Sequence, residues 1–157
     1  MTDTTLILSR DMAASPSAVW RCLTEEDLLK QWFAPAPVKV TKAEIDASPG
    51  GIFHAVMDVP EMGEMDGGAG CVILAEPPAR LIWTSALGPC FVPALPPGDG
   101  AFHFTAVITL DAIDTGTRYT ATVLHADGAG RDAHAAMGFE DGWGAAADQL
   151  ATLAATL

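Results

Sequence analysis

The side chains best placed to meet a small molecule lie in the last strand-like run, Thr117 to His125. There the sequence alternates, so Tyr119, Ala121, Val123 and His125 share one face, while Arg118, Thr120 and Thr122 take the other. A phenol and an imidazole on one apolar face can hydrogen-bond to a bound molecule or exchange a proton with it. They can equally be structural, the tyrosine with its hydroxyl at a rim and the histidine near a strand end. The four histidines, His54, His103, His125 and His134, show neither an HxH nor an HxxxH spacing. By parity His54 and His103 lie on faces opposite the neighbouring phenylalanines, so no metal site is expected. No GxSxG occurs, and none of Cys22, Cys71 and Cys90 has a histidine in local reach, which leaves nucleophilic catalysis without support. The glycines of Pro49-Gly50-Gly51 and Gly67-Gly68 do not precede helices, so a phosphate cradle is not expected either. These absences predict no cofactor.

The aromatic residues carry more. Trp20, Trp32, Phe33, Phe53, Trp83, Phe102, Phe104 and Trp143 come from helix-like and strand-like segments alike. Any one of them is accounted for by core packing. As a set they suit a cavity between a curved sheet and a straight helix, two shapes that cannot interdigitate along their whole length. The predicted site is therefore one pocket lined by Trp32, Phe53, Met57, Trp83, Phe104, Tyr119 and Trp143, with His125 beside Tyr119. Its guest would be a small apolar or amphipathic molecule.

The elements that position these residues follow from periodicity. Thr4 to Met12 reads as an edge strand. Ser15-Pro16 opens a helix, with Ser15 as N-cap. Thr24, followed by Glu25, Glu26 and Asp27, reads as the cap of a second short helix through Phe33. After Pro35 and Pro37 the period changes to two. Strands are expected over 38–46, 52–59, 70–76, 80–85, 102–112 and 117–125, with a solvated hairpin loop over 60–68. Within 52–59, Phe53, Ala55 and Met57 share a face. Residues 129–157 read as one helix, with Phe139, Trp143, Ala146, Leu150, Leu153 and Leu157 in one apolar stripe. On that wheel His134 lies opposite Trp143, at the solvent or capping a helix end. The fold class is α+β: a curved antiparallel sheet around a long C-terminal helix, with two short helices after the first strand.

Residues 86–101 form a long loop that is apolar for its kind, with Leu87, Phe91, Val92 and Leu95 interleaved with four prolines. Such side chains call for cover. Phe91 and Leu95 are predicted as a lid over the cavity mouth. The alternatives are an interface in a homodimer, or simple folding onto the outer sheet.

Bulk properties narrow the class. The chain of 157 residues, half of them hydrophobic, fits one domain spanning residues 1–157. Fifteen glycines and eleven prolines favour short strands over a helical bundle. A net charge of -12 repels a phosphate backbone, and the eight Lys and Arg form no basic stripe, so nucleic acid and anionic membrane surfaces are not expected partners. The uncharged run from Leu81 to Gly98 contains Pro89, Pro93, Pro96 and Pro97, which excludes a spanning helix. Residues 1–12 lack a basic start followed by an apolar run, so no signal peptide is expected. An odd number of cysteines without a framework fits free thiols acting as small apolar filler in a reducing compartment, and the cytoplasm is the expected location.

The order of motifs resembles a known superfamily. Ala14, Pro16, Val19-Trp20, Leu23-Thr24, Leu29, Gln31-Trp32-Phe33 and Pro35 come first. Pro49-Gly50-Gly51 with Phe53, then Gly70, Pro77-Pro78, Arg80-Leu81 and Thr84, lie in the middle. Gly116-Thr117-Arg118, His134, Met137-Gly138, Gly142-Trp143 and Leu150 close the series. Together they resemble the START-like, or birch-pollen-allergen-like, helix-grip proteins (SRPBCC). The nearest branch is that of the activator of the 90-kDa heat-shock chaperone ATPase. The resemblance implies a helix-grip fold over nearly the whole chain. It leaves function open, because that fold hosts lipid carriers, ring cyclases, hormone receptors and chaperone activators. A ligand-binding protein without chemistry is the reading best supported. A cyclase- or hydratase-type enzyme using Tyr119 and His125 is the alternative, and a chaperone-activator-like interaction module is the third.

Overall fold

Alternating runs this short, separated by glycine and proline, pair with their sequence neighbours. In the computed structural model, which describes residues 3–157, they build one curled antiparallel sheet. β1 (Thr5–Met12) is followed by α1 (Pro16–Thr24) and α2 (Glu26–Leu29). Then come β2 (Lys39–Ile45), β3 (Ile52–Val59), β4 (Gly63–Asp66), β5 (Gly70–Glu76) and β6 (Arg80–Thr84). β7 (Leu87–Gly88) and β8 (Val92–Pro93) precede β9 (Phe104–Ile113), β10 (Gly116–His125), α3 (Gly128–Ala136) and α4 (Phe139–Ala154). The strand order is β1-β10-β9-β6-β5-β3-β2, and β4 is an added partner of β3. Register shifts between Val40 and Lys42 and between Val72 and Leu74 bend β2 and β5 and sharpen the curl.

The concave face is apolar by parity. Leu8, Met12, Leu81, Ile108, Leu110, Ala121 and Val123 point into it and are buried. The helices cap as their sequences direct at two starts. Ser15 Oγ accepts from the Ala18 N–H at 3.2 Å, and an Asp127 carboxylate oxygen accepts from the Gly130 N–H at 2.8 Å. Thr24 does not cap α2. Its hydroxyl donates to the Trp20 carbonyl at 2.9 Å, so it closes α1, and Glu25 stands at the α2 boundary.

Three expectations are corrected. Residues 60–68 are not all loop: Gly63–Asp66 pairs with β3, tied by a 2.7 Å contact between His54 Nε2 and an Asp66 carboxylate oxygen. Residues 86–101 carry the small β7–β8 hairpin around a turn at Pro89–Phe91. The His103 Nε2–H donates to the Leu95 carbonyl at 2.8 Å and pins that segment down. The C-terminal helix is two helices. Gly138, at φ +90°, takes the left-handed conformation that ends α3 and redirects the chain into α4.

Small residues set where α4 lies. Gly144, Ala146, Ala147 and Ala154 are buried, and the helix backbone comes nearest to β1 and α1. A Cβ at Gly144 would stand 2.7 Å from an Arg10 guanidinium nitrogen, so glycine there makes room for Arg10 to cross the helix and meet Asp148 at 3.2 Å. Gln149 fixes the other side. Its amide donates to the carbonyls of Trp32 and Ala34 at 3.1 and 2.8 Å and accepts from the Ala36 N–H at 2.8 Å. Phe139 and Leu150 are buried as the stripe predicts, whereas Trp143 and Leu153 are half-buried and Leu157 is exposed beyond the helix end. Among the described residues no helix is long and apolar enough to cross a membrane.

Leu150 is fully enclosed, at 0% exposure. Leu150→Ala is expected to cost about 2–5 kcal/mol of unfolding free energy, and Leu153→Ala clearly less. Denaturant midpoints of the two variants check this; equal losses would contradict the placement of α4.

Candidate functional site

α4 packs against β1 and α1, and the rest of the concave face is covered by α1, α2 and large side chains. These side chains form a continuous row. Phe33, on the segment after α2, lies 5.5 Å from Phe53 of β3, ring centre to ring centre. Phe53 stacks on Trp83 of β6 at 4.1 Å with the planes 7° apart. Trp83 meets Phe104 of β9 edge-on at 5.3 Å, and Phe104 meets Trp143 of α4 edge-on at 6.0 Å. Trp32 flanks the row through Phe33 at 5.7 Å, and its indole N–H donates to the Cys22 carbonyl at 2.8 Å. Edge-to-face and offset geometries add attraction beyond area burial. Phe53 and Trp83 are the deepest members, at 5% and 8% exposure, while Phe33, Phe104 and Trp143 are half-buried.

The predicted site residues divide accordingly. Trp32, Phe53, Trp83, Phe104 and Trp143 come together in this row. Met57 is half-buried against the core, two residues along β3 from Ala55. Tyr119 is buried on β10 and makes no ring contact among the described residues. Burial pushes its phenol pKa far above the usual value, so it does not titrate at neutral pH. Phe91 lies against Gly50, where an added Cβ would meet its ring edge at 3.0 Å, and Leu95 is 85% exposed. Cys22 and Cys71 are buried, the Cys22 thiol pKa being raised to about 11 by burial, while Cys90 is exposed. Among the described residues no cluster of His, Cys, Asp and Glu could hold a metal ion.

His125 ends β10 beside an unexpected partner. Its Nδ1 lies 2.8 Å from the Thr4 carbonyl, and its Nε2 lies 2.9 Å from His134 Nδ1. A carbonyl can only accept, so His125 carries its proton on Nδ1. With both rings neutral, its Nε2 is then an acceptor and His134 donates from Nδ1. That leaves His134 Nε2 as a lone-pair acceptor. The His134 ring stands 4.8, 5.1, 5.2 and 6.0 Å from Phe102, Phe104, Phe139 and Trp143, and the residue is only 7% exposed. Burial, with His125 adding to it, holds its pKa down at about 4, so it is neutral at physiological pH.

The single-helix reading placed His134 at the solvent or capping a helix end, because nine residues at 100° each carry it half a turn from Trp143. The break at Gly138 resets that phase and turns His134 inward. The Met137-Gly138 pair was the available signal, a glycine of the kind that ends helices.

A family model described as Activator of Hsp90 ATPase homolog 1-like protein matches residues 13–155. The chain belongs to that family. An X-ray structure of a protein from Nitrosomonas europaea is 41% identical, with 96% of this chain and 93% of that one covered, at a TM-score of 0.89. A crystal structure of a protein from Rhodobacter sphaeroides is 28% identical over 98% of this chain and 94% of that one, at a TM-score of 0.83. The family's helix-grip architecture extends to a Silicibacter pomeroyi protein at 20% identity, 94% and 95% coverage and a TM-score of 0.70, a likeness of fold alone. No curated protein matches the sequence. Membership of the Hsp90-ATPase-activator-like family and the fold together suggest a ligand-binding or activator-like module.

The lowered pKa of His134 sets a pH dependence. The unfolded chain binds that proton near the ordinary value of 6.5, and the folded chain only near 4. Between those values the unfolded state holds more protons, so stability falls as pH falls through the window. His134→Phe should flatten this part of the melting-temperature profile. A variant that keeps the wild-type slope from pH 6.5 to 4 would show that His134 is not buried neutral.

Proposed function

We propose that the protein binds a small apolar or amphipathic molecule between the sheet and α4, without chemistry. One observation carries this reading: Phe33, Trp83, Phe104 and Trp143 touch in succession, and Phe33, Phe104 and Trp143 stay half-buried although they are packed together. Contiguous aromatic surface left partly wet is unfavourable unless something covers it. The rings already touch one another. A guest would therefore lie along these half-buried rings, with Phe53 and Trp83 as its floor and Met57 further along the same sheet face. Trp32 supports the row from behind. His125 acts through His134 in this reading, and Tyr119 lines the buried end of the sheet face.

The acid–base alternative meets two physical objections. Both nitrogens of His125 are engaged, and the Tyr119 phenol is held far from ionisation at neutral pH. The expected cytoplasmic location fits a carrier of this kind, whose partner would be one small apolar ligand, with no nucleic acid and no inserted membrane segment. A homodimer would cover Phe91 and Leu95, whereas a lid role for them requires the β7–β8 segment to swing toward the row.

Titration with the neutral dye Nile red, followed by its emission, tests the reading. Saturable binding with one site per chain is expected. Trp143→Asp should weaken it by about tenfold or more, since a large apolar contact is worth roughly 1.5–3 kcal/mol. Trp20→Phe on α1, away from the row, should leave it unchanged. Binding that ignores Trp143 would place any ligand elsewhere; no binding, together with no small molecule seen by native mass spectrometry of freshly purified protein, would end the proposal.

A further inference from the structure

The reading above leaves open what the guest must carry. It rests on the aromatic row as the site, and the polar atoms along that row narrow the ligand class. His134 Nδ1 is committed to His125, and His125 is committed in turn to the Thr4 carbonyl. This chain of two hydrogen bonds fixes the tautomer from the backbone outward, so His134 presents an acceptor and cannot present a donor without taking on a charge. Its Nε2 has no protein partner among the described residues and is not among the atoms shut off from solvent, so water can pair it while the site is empty. A guest that lay over the rings of Phe102, Phe104, Phe139 and Trp143 and displaced that water would leave the acceptor unpaired, at a cost, unless the guest supplied a donor of its own. The indole N–H groups of Trp83 and Trp143 are likewise without a protein partner among the described residues, and they supply donors along the same row.

We propose that His134 Nε2 is the recognition point for an uncharged hydroxyl group on an otherwise apolar guest, the class of phenols, long-chain alcohols and sterol-like alcohols. A hydroxyl gives its proton to Nε2 and keeps lone pairs for a donor such as an indole. A carboxylate would set its own lone pairs against that of Nε2. It would also surrender its hydration inside a ring of hydrocarbon, in a protein whose net charge is already -12. An ether or a plain hydrocarbon fits the rings but leaves the Nε2 acceptor unpaired. Selection of this kind is sharper than selection by size, because a site built to pair a hydroxyl penalises the analogue that lacks the proton.

Three matched probes test the proposal: para-octylphenol, para-octylanisole and para-octylbenzoate, titrated against the intact protein at neutral pH by tryptophan fluorescence. The phenol is expected to bind about fivefold or more tightly than the anisole, the value of one net hydrogen bond, with the benzoate weakest. In His134→Phe the anisole should retain its affinity and the phenol should lose its advantage. Nitrogen NMR of the wild-type protein gives an independent reading that needs no variant: the His134 Nε2 resonance should shift on adding the phenol and hold still on adding the anisole. Equal binding of phenol and anisole, tightest binding of the benzoate, survival of the phenol preference in His134→Phe, or an unmoved Nε2 resonance would each overturn this inference while leaving apolar binding intact. Failure of all three probes to bind would overturn the binding reading itself, and this inference with it.

Discussion

Gly144 and Ala147 let α4 come close to β1 and α1, and the consequences of that approach run through the whole concave face. A helix with larger residues at those positions would ride higher and more centrally over the sheet. Here it is drawn to one side, held there by Arg10 reaching Asp148 and by the three hydrogen bonds of Gln149 to the 32–36 segment. The exposed Arg10–Asp148 pair adds little energy of its own. The Gln149 contacts matter more, because they satisfy backbone groups in a stretch with no regular secondary structure. With α4 fixed against β1 and α1, the rest of the concave face is closed by α1, which reaches β9, by α2, which reaches β2, and by side chains between them. Rings are the largest side chains available, and they do not quite suffice.

The histidine pair depends on the same arrangement. α3 must fold back onto the end of β10 for His134 to reach His125, and it can do so only because Gly138 breaks the helix. A continuous helix from Gly128 to Ala154 would keep His134 pointing away from the sheet. The pair in turn ties α3 to the strand with a buried neutral hydrogen bond, and the Thr4 carbonyl extends the tie to β1. Two backbone elements far apart in sequence are thus set by the tautomer of one imidazole.

Much of this was legible in the sequence. The alternation from Phe104 to Leu110 and from Tyr119 to His125 placed two central strands and their inner faces, because period two cannot be satisfied by any other half-buried element. Ser15-Pro16 and the Phe139-to-Leu150 spacing placed two helices for equally local reasons. What stayed hidden was non-local. β4 exists only because β3 offers an edge, and its four residues, Gly-Glu-Met-Asp, are all exposed and carry no strand pattern. The register shifts in β2 and β5 leave no mark in composition. The aromatic row was visible as a set of residues but not as an order of contacts, since Phe33 meets Phe53 and Trp83 only through the curl of the sheet. His134 was misplaced by assuming one helical phase across Gly138.

Volume alone would point elsewhere. Two clefts of about 500 and 290 Å³, one along α4 and one between the 30–40 segment and Gln149, share Gln31 and Gln149. Neither is lined by any ring of the row. The larger is bordered by Gln31, Asp148, Gln149, Thr152, Leu153 and Thr156, and several of its polar groups are already bonded: Asp148 to Arg10, and the Thr152 and Thr156 hydroxyls to the carbonyls of Asp148 and Leu153. The aromatic row instead offers three half-buried rings, Phe33, Phe104 and Trp143, and beside them an acceptor, His134 Nε2, without a protein partner among the described residues. Free energy of binding comes from the change in those two conditions, apolar area removed from water and a polar atom given its partner, and not from the room available. A site can therefore be shallow in the unliganded protein and still be the place where a hydroxylated apolar molecule is held.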